Sequence, residues 1–144
     1  MFDAPEALLQ LLVTSLLSGL IGLERHVAHR PAGVRTNILV GVGSALVMML
    51  ALRLSEGADS IDPGRFAGQV LTGIGFIGAG VMFRFRGEPQ GVTTAATIFV
   101  VACMGLAIGA GEYLLGVATG VIVLVTLRVV GAIEHRHEKH DHHD

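Results

Sequence analysis

Three stretches of this chain carry residue types and spacings that invite a chemical reading. The first is Gly73 to Gly80, "GIGFIGAG", which matches the pattern G-x-G-x-x-G. Such glycines cradle a dinucleotide pyrophosphate when they follow a strand and open a helix, with an acid about 20 residues further on. Here they lie inside an apolar run, and the segment at that distance, "TTAATIFV", holds no acid. Nucleotide chemistry is therefore set aside. The second stretch is the tail "EHRHEKHDHHD", Glu134 to Asp144. Imidazole suits zinc, nickel or copper, whereas magnesium prefers oxygen. His137, His140, His142 and His143 are thus candidate ligands for weak transition-metal binding, beside the plainer reading of a charged, solvated tail. The third is "GLERHVAHRPAGVRTN", Gly22 to Asn37. It offers Glu24, Arg25, Arg35, Thr36 and Asn37, with Arg35 and Asn37 near a helix N-terminus that would favour an anion or an acidic partner group. The plainer reading is a solvated loop. No Ser-His-Asp or Cys-His set with a plausible base occurs, so neither an enzyme nor a cofactor is expected. The single cysteine, Cys103, lies in an apolar run and reads as a small buried hydrophobe.

The elements that must position these residues follow from composition. The 144 residues are 51% hydrophobic and only 15% charged. A soluble domain carries about 25% charged residues, so the deficit points to a membrane. The scattered arginines form no basic face, which argues against nucleic acid. Charges punctuate the chain into five apolar runs: after Glu6, after Arg35, after Arg65, after Glu88 and after Glu112. Each approaches the roughly 17–25 residues a helix needs to cross hydrocarbon. The last does so if Arg128 snorkels to the interface. The sequence thus predicts an all-α, polytopic membrane helix bundle of about five transmembrane helices. Its membrane domain covers 7–133, and 134–144 form a histidine-rich cytoplasmic tail, expected to be disordered. The leader "MFDAPE" is acidic and no small-residue cleavage site follows, so the first helix reads as retained, not as a signal peptide.

Lysine and arginine set the expected orientation. Arg25, Arg30 and Arg35, then Arg84 and Arg86, then Arg136 and Lys139 fall on one side. The other side has Arg53 and Arg65 beside Glu56, Asp59 and Asp62. This puts the N-terminus outside and the C-terminus in the cytoplasm. The outer acids would attract divalent cations loosely, or simply form a solvated loop. Asp62-Pro63 reads as the N-cap and first residue of helix three. Thr36-Asn37 and Thr93-Thr94 read as caps of helices two and four, and Arg25 and His26 complement the C-terminal dipole of helix one.

At helical spacing the glycines of "GIGFIGAG" change meaning. Gly68, Thr72, Gly75 and Ala79 share one face, and Gln69, Gly73, Phe76 and Gly80 a second. Val70, Ile74, Ile77 and Val81 make a bulky third. Small faces let helices approach closely in lipid. The expectation is a central helix three, packed on both small faces, with the Val/Ile stripe turned to lipid or to a loose contact. Two G-x-x-x-G pairs, Gly105–Gly109 and Gly116–Gly120, predict close packing of helices four and five. No Asp, Glu, Lys or His falls near the middle of a span, which weighs against a cation carrier. The oxygens at depth are Thr14, Ser15, Ser18, Ser44, Gln69, Thr72, Thr94 and Thr97, which are expected mostly to bond back to their own helices.

Three blocks, "GLIGLERHVAHRPAGVRTN", "DPGRFAGQVLTGIGFIGAG" and "GVTTAATIFVVACMGLAIGAG", closely resemble the signatures of the MgtC/SapB membrane protein family. The resemblance runs from about helix one to helix five. It implies a bacterial inner-membrane protein linked to growth at low magnesium and to virulence. It further implies a regulator that acts on other membrane proteins, the ATP synthase among them, more than a magnesium transporter. The alternative is a small divalent-cation transporter or channel component. By resemblance the motif positions are Gly22, Glu24, Arg25, Gly33, Arg35, Thr36, Asn37, Asp62, Gln69, Gly73, Gly75, Gly78, Gly80 and Thr94 to Thr97. The partners expected are the lipid bilayer and other membrane proteins, with a homo-oligomer left open. Longer members carry a cytoplasmic domain where this chain has its histidine tail, so nothing lodged there carries over. Phe99 stands where many members have tryptophan, and Ile77 where many have leucine; both keep apolar bulk.

Overall fold

The computed structural model describes residues 4–56, 61–83 and 90–138. They form five helices: α1 Ala4–Val27, α2 Val34–Ser55, α3 Pro63–Phe83, α4 Gln90–Gly109 and α5 Tyr113–Glu138. All five are long and apolar enough to cross a membrane. No strand occurs among the described residues. Helix α5 runs on through Glu138, five residues past the expected domain edge at 133.

Helix α1 is built inside out by the standard of a soluble protein. Its buried side carries Gln10, Thr14, Ser18, Gly22 and Arg25. Its exposed side carries Leu8, Leu12, Leu16, Leu20 and Leu23. Lipid tails solvate leucine as well as another protein helix does, so no hydrophobic force draws those leucines inward. Hydrocarbon rejects the polar groups instead, and they turn to the other helices.

Helix α4 is the centre of the bundle and touches all four others. Of its span 56% is buried, against 11% for α3 and for α5. Its glycines explain the position. A Cβ on Gly105 would overlap the carbonyl oxygen of Gly41, and one on Gly109 would overlap that of Ala45. The α2 and α4 backbones therefore lie in direct contact, as the first G-x-x-x-G pair predicts. The second pair also holds. A Cβ on Gly116 would strike Ile108, and one on Gly120 would stand 3.3 Å from the Met104 sulfur. Ile21, Val101, Met104 and Ile108 form one apolar cluster between α1, α4 and α5. Ile74, Ile98 and Ala102 form a second between α3 and α4.

The expectation for helix three is reversed. Helix α3 lies at the edge of the bundle and, among the described helices, meets only α2 and α4. It leans on them with the bulky stripe: Ile74 is 8% exposed, and Val70 and Val81 pack on the same cluster. The glycine faces look outward. A Cβ added at Gly68, Gly73, Gly75 or Gly80 would meet nothing within 4 Å. Gly78 alone of this set touches another helix, 3.4 Å from the Ala95 methyl. The reason is contact area. Isoleucine and valine supply many dispersion contacts to a neighbour, and a peripheral helix has one side to spend on them.

Caps are mixed. Asp62 does cap α3: its Oδ1 accepts the Gly64 N–H at 2.8 Å. Arg25 and His26 do lie in the last turn of α1. Thr36 and Asn37 do not cap α2, whose N-cap is Gly33 and makes no side-chain cap bond. Thr93 and Thr94 do not cap α4, which already begins at Gln90. In α2 the preceding turn fixes the start earlier than the hydroxyls suggest.

Candidate functional site

The turn between α1 and α2 is shaped by its hydrogen bonds. His29 donates its N–H to the His26 carbonyl at 3.1 Å, and Arg30 donates to that of Arg25 at 2.9 Å. This paired pattern is a Schellman closure, which needs a left-handed residue just past the helix. His29 takes that place with φ 54°, and Ala32 follows with φ 57°. Neither is glycine, so both carry backbone strain. Asn37 holds the strained turn from the first turns of α2. Its Nδ2 donates to the Ala32 carbonyl at 2.6 Å and to that of Gly33 at 2.9 Å.

Glu24 and Arg25 are not in a solvated loop. They are in the last turn of α1 and form an ion pair, Nε to Oε2 at 2.8 Å, with side chains only 10% and 7% exposed. Burial removes water from both charges, so each depends on the other. Gly22, one turn earlier, lets α2 approach: a Cβ there would stand 2.6 Å from the Val34 Cα. Arg35 is exposed and Thr36 half-buried, so these two do not join Arg25 and Asn37 in the interior.

From this turn a line of polar residues runs back through the bundle. Asn37, Ser18, Thr14 and Gln10 are each fully buried. Ser18 and Thr14 both lie on Gly41; a Cβ there would overlap Ser18 Oγ and stand 3.2 Å from Thr14 Cγ2. Gln10 reaches the α4–α5 turn, with Nε2 4.0 Å from the place of a Gly111 Cβ. The line therefore connects the α1–α2 turn at one end of the bundle to the α4–α5 turn at the other. Most hydroxyls at depth bond back to their own helix as expected: Thr14 to the Gln10 carbonyl, Ser44 to that of Val40, Thr72 to that of Gly68 and Thr97 to that of Thr93. Ser18 is an exception. Among the described residues its Oγ has no hydrogen-bond partner, and neither do both amide atoms of Gln10 or the Oδ1 of Asn37.

The remaining expected residues divide. Thr94 and Thr97 are buried in the first turns of α4, at the end of the bundle that holds the α1–α2 turn. Asp62 and Gln69 line an open depression of about 310 Å³ with Ile61, Arg65 and Phe66. Gly73, Gly75 and Gly80 face outward. His140, His142 and His143 lie outside the described residues, as does the side chain of His137. No group of three His, Cys, Asp or Glu side chains that could hold a metal occurs among the described residues. Gln10 is the residue that sequence reasoning missed. Its signal is the four-residue spacing of Gln10, Thr14, Ser18 and Gly22, the small and polar stripe of an otherwise leucine-rich helix.

Comparison with known proteins covers the same bundle. Residues 11–136 match the MgtC family model. YhiD of Escherichia coli strain K12, provisionally named a magnesium transporter, is 38% identical over 143 residues, covering 96% of this chain and 66% of YhiD. Protein MgtC of Salmonella typhimurium strain LT2 is 42% identical over 117 residues, covering 81% of this chain and 49% of that protein. Protein MgtC of Brucella abortus is 47% identical over 96 residues, covering 67% and 39%. The chain thus spans two thirds or less of the length of these curated relatives. No solved structure matches. Five spanning helices and a match that runs from the second turn of α1 to the end of α5 make this a multi-pass membrane protein, and the chain belongs to the MgtC family.

Proposed function

We propose that this chain is an inner-membrane regulatory protein, tied to magnesium homeostasis, that acts by helix contact with a partner membrane protein. The observation that carries this reading is the outward face of α3. Gly68, Gly73, Gly75 and Gly80 leave its backbone bare, and Gln69 and Thr72 are exposed on the same side. A helix that met only lipid would gain nothing from these residues, whereas a partner helix could approach closely and bond the amide. Relatives from Escherichia, Salmonella and Brucella support a bacterial membrane. The basic loops support a cytoplasmic C-terminus. Among partners, the family resemblance offers the ATP synthase. The reading assigns no catalytic step.

A second reading, a divalent-cation transporter, draws on the name of YhiD and on the buried polar line. The two separate in one pair of measurements. A photo-crosslinking residue at Phe76, which is 84% exposed, should trap a partner in native membranes. Proteoliposomes holding only this protein should take up no magnesium beyond empty vesicles. Uptake above that level would overturn the regulatory reading, and failure to trap any protein from α3 would remove its support.

A further inference from the structure

The polar line between α1 and α2 contains more bonding capacity than the protein uses. Gln10, Ser18 and Asn37 are each fully buried, and four of their side-chain atoms lack a partner among the described residues. Hydrocarbon offers these atoms nothing, so in a membrane their partner has to lie inside the bundle. The atoms state what it must be. The Gln10 Nε2 needs an acceptor and its Oε1 a donor; Ser18 Oγ can serve as either; Asn37 Oδ1 needs a donor. A bare cation answers the oxygens and repels the amide N–H. An anion answers the N–H and repels the oxygens. Water both donates and accepts, and buried waters bind where two to four polar groups would otherwise stay unsatisfied.

We propose that the α1–α2 seam is a water-binding site with two stations, one at Gln10 and one shared by Ser18 and Asn37. The first lies beside the α4–α5 turn, where Gln10 approaches Gly111. The second lies about Gly41: Ser18 rests on it from α1, and Asn37 is one helical turn away on α2. Gln10 and Ser18 are eight residues apart, about 12 Å along α1. The two stations therefore stand about 12 Å apart within a hydrocarbon core about 30 Å thick. This assignment is independent of whether any ion crosses the membrane.

The test uses the full chain in lipid nanodiscs with Cys103→Ala, so that one introduced thiol is read at a time. The S–H proton of Ser18→Cys should exchange in heavy water many-fold faster than that of Val101→Cys, which is buried in the apolar cluster. Equal, slow exchange at both positions would overturn the proposal. A second measurement covers the case in which Ser18→Cys does not fold. In a dry seam, Gln10→Leu removes two unsatisfied atoms and raises the thermal midpoint. In a hydrated seam the midpoint stays or falls, because the amide was already satisfied. A raised midpoint overturns the proposal at Gln10.

Discussion

Gly105 of α4 and Gly41 of α2 meet backbone to backbone, with no room for a methyl group between them. The contact fixes how closely the two central helices pack, and Gly109 repeats it against Ala45 one turn on. Gly105→Ala is expected to cost at least about 2 kcal/mol, because the obstacle is a carbonyl oxygen that cannot rotate away. Thermal unfolding in detergent checks this, with a lowered midpoint for Gly105→Ala and Gly109→Ala alike.

The glycines of α3 should behave in the opposite way. Gly73→Leu and Gly75→Leu introduce side chains into open space. Both variants should fold with unchanged thermal midpoints, and both should lose the crosslinked partner trapped from Phe76. A loss of stability equal to that of Gly105→Ala would show that α3 is packed on this side after all.

The Glu24–Arg25 pair offers a test of charge inside the bundle's end. Arg25→Ala leaves the Glu24 carboxylate with its partner gone and only 10% of its side chain exposed. The expected loss is roughly 3 kcal/mol. Arg25→Lys should recover little, because the observed bond comes from Nε and an ammonium cannot reproduce it. The measurement is again the thermal midpoint, with the double variant Glu24→Gln, Arg25→Met expected to lie above Arg25→Ala.

Asn37 should prove structural for the turn it holds. Asn37→Leu removes the side-chain donor to Ala32 and Gly33; the half-buried Ala32 carbonyl loses that bond, while the Gly33 carbonyl keeps the backbone N–H of residue 37. A loss of about 1–3 kcal/mol is expected. Asn37→Asp should be as poor, since a carboxylate cannot donate. Limited proteolysis at the α1–α2 turn would report the loosening directly.

Relief of strain makes a prediction of the other sign. A left-handed conformation costs a non-glycine residue about 1–2 kcal/mol, and part of that returns as unfolded-state entropy when glycine is used. His29→Gly and Ala32→Gly should each raise stability by up to about 1 kcal/mol. Gly111→Ala should lower it by a similar amount, because Gly111 closes α4 at φ 87°.

Helix number was legible because charge marks the approximate span ends, and burying a charge in hydrocarbon is costly. The close approach of Gly105 and Gly109 was legible too, since a small residue at four-residue spacing has few other uses in a span. The face of α3 was not. Its small and bulky stripes read equally well as inward, and only the position of α3 at the edge, against α2 and α4, decides between them. The polar stripe of α1 was written in plain view at Gln10, Thr14, Ser18 and Gly22. It is invisible to a search for ionisable groups, because amides and hydroxyls carry no charge. The burial of Glu24 and Arg25 was hidden for a related reason: positive charge near a helix end looks the same whether it faces water or the turn behind it.

The central place of α4 sets the order of events when the chain is made. Helices α1 and α2 can close on each other as soon as both have entered the membrane. Helix α3 comes next, but the apolar seat it needs is built from Ile98 and Ala102, which the ribosome has not yet delivered. Translation runs at about 5–20 residues per second, so the wait lasts on the order of seconds. During it the stripe of Val70, Ile74 and Val81 has only α2 to lean on, and the side meant for α4 rests against lipid or against whatever protein guides insertion. The seat that all the others share is the fourth of five to be made, and a nascent chain arrested before Ile98 would hold a hairpin with a third helix leaning on α2 alone rather than a bundle.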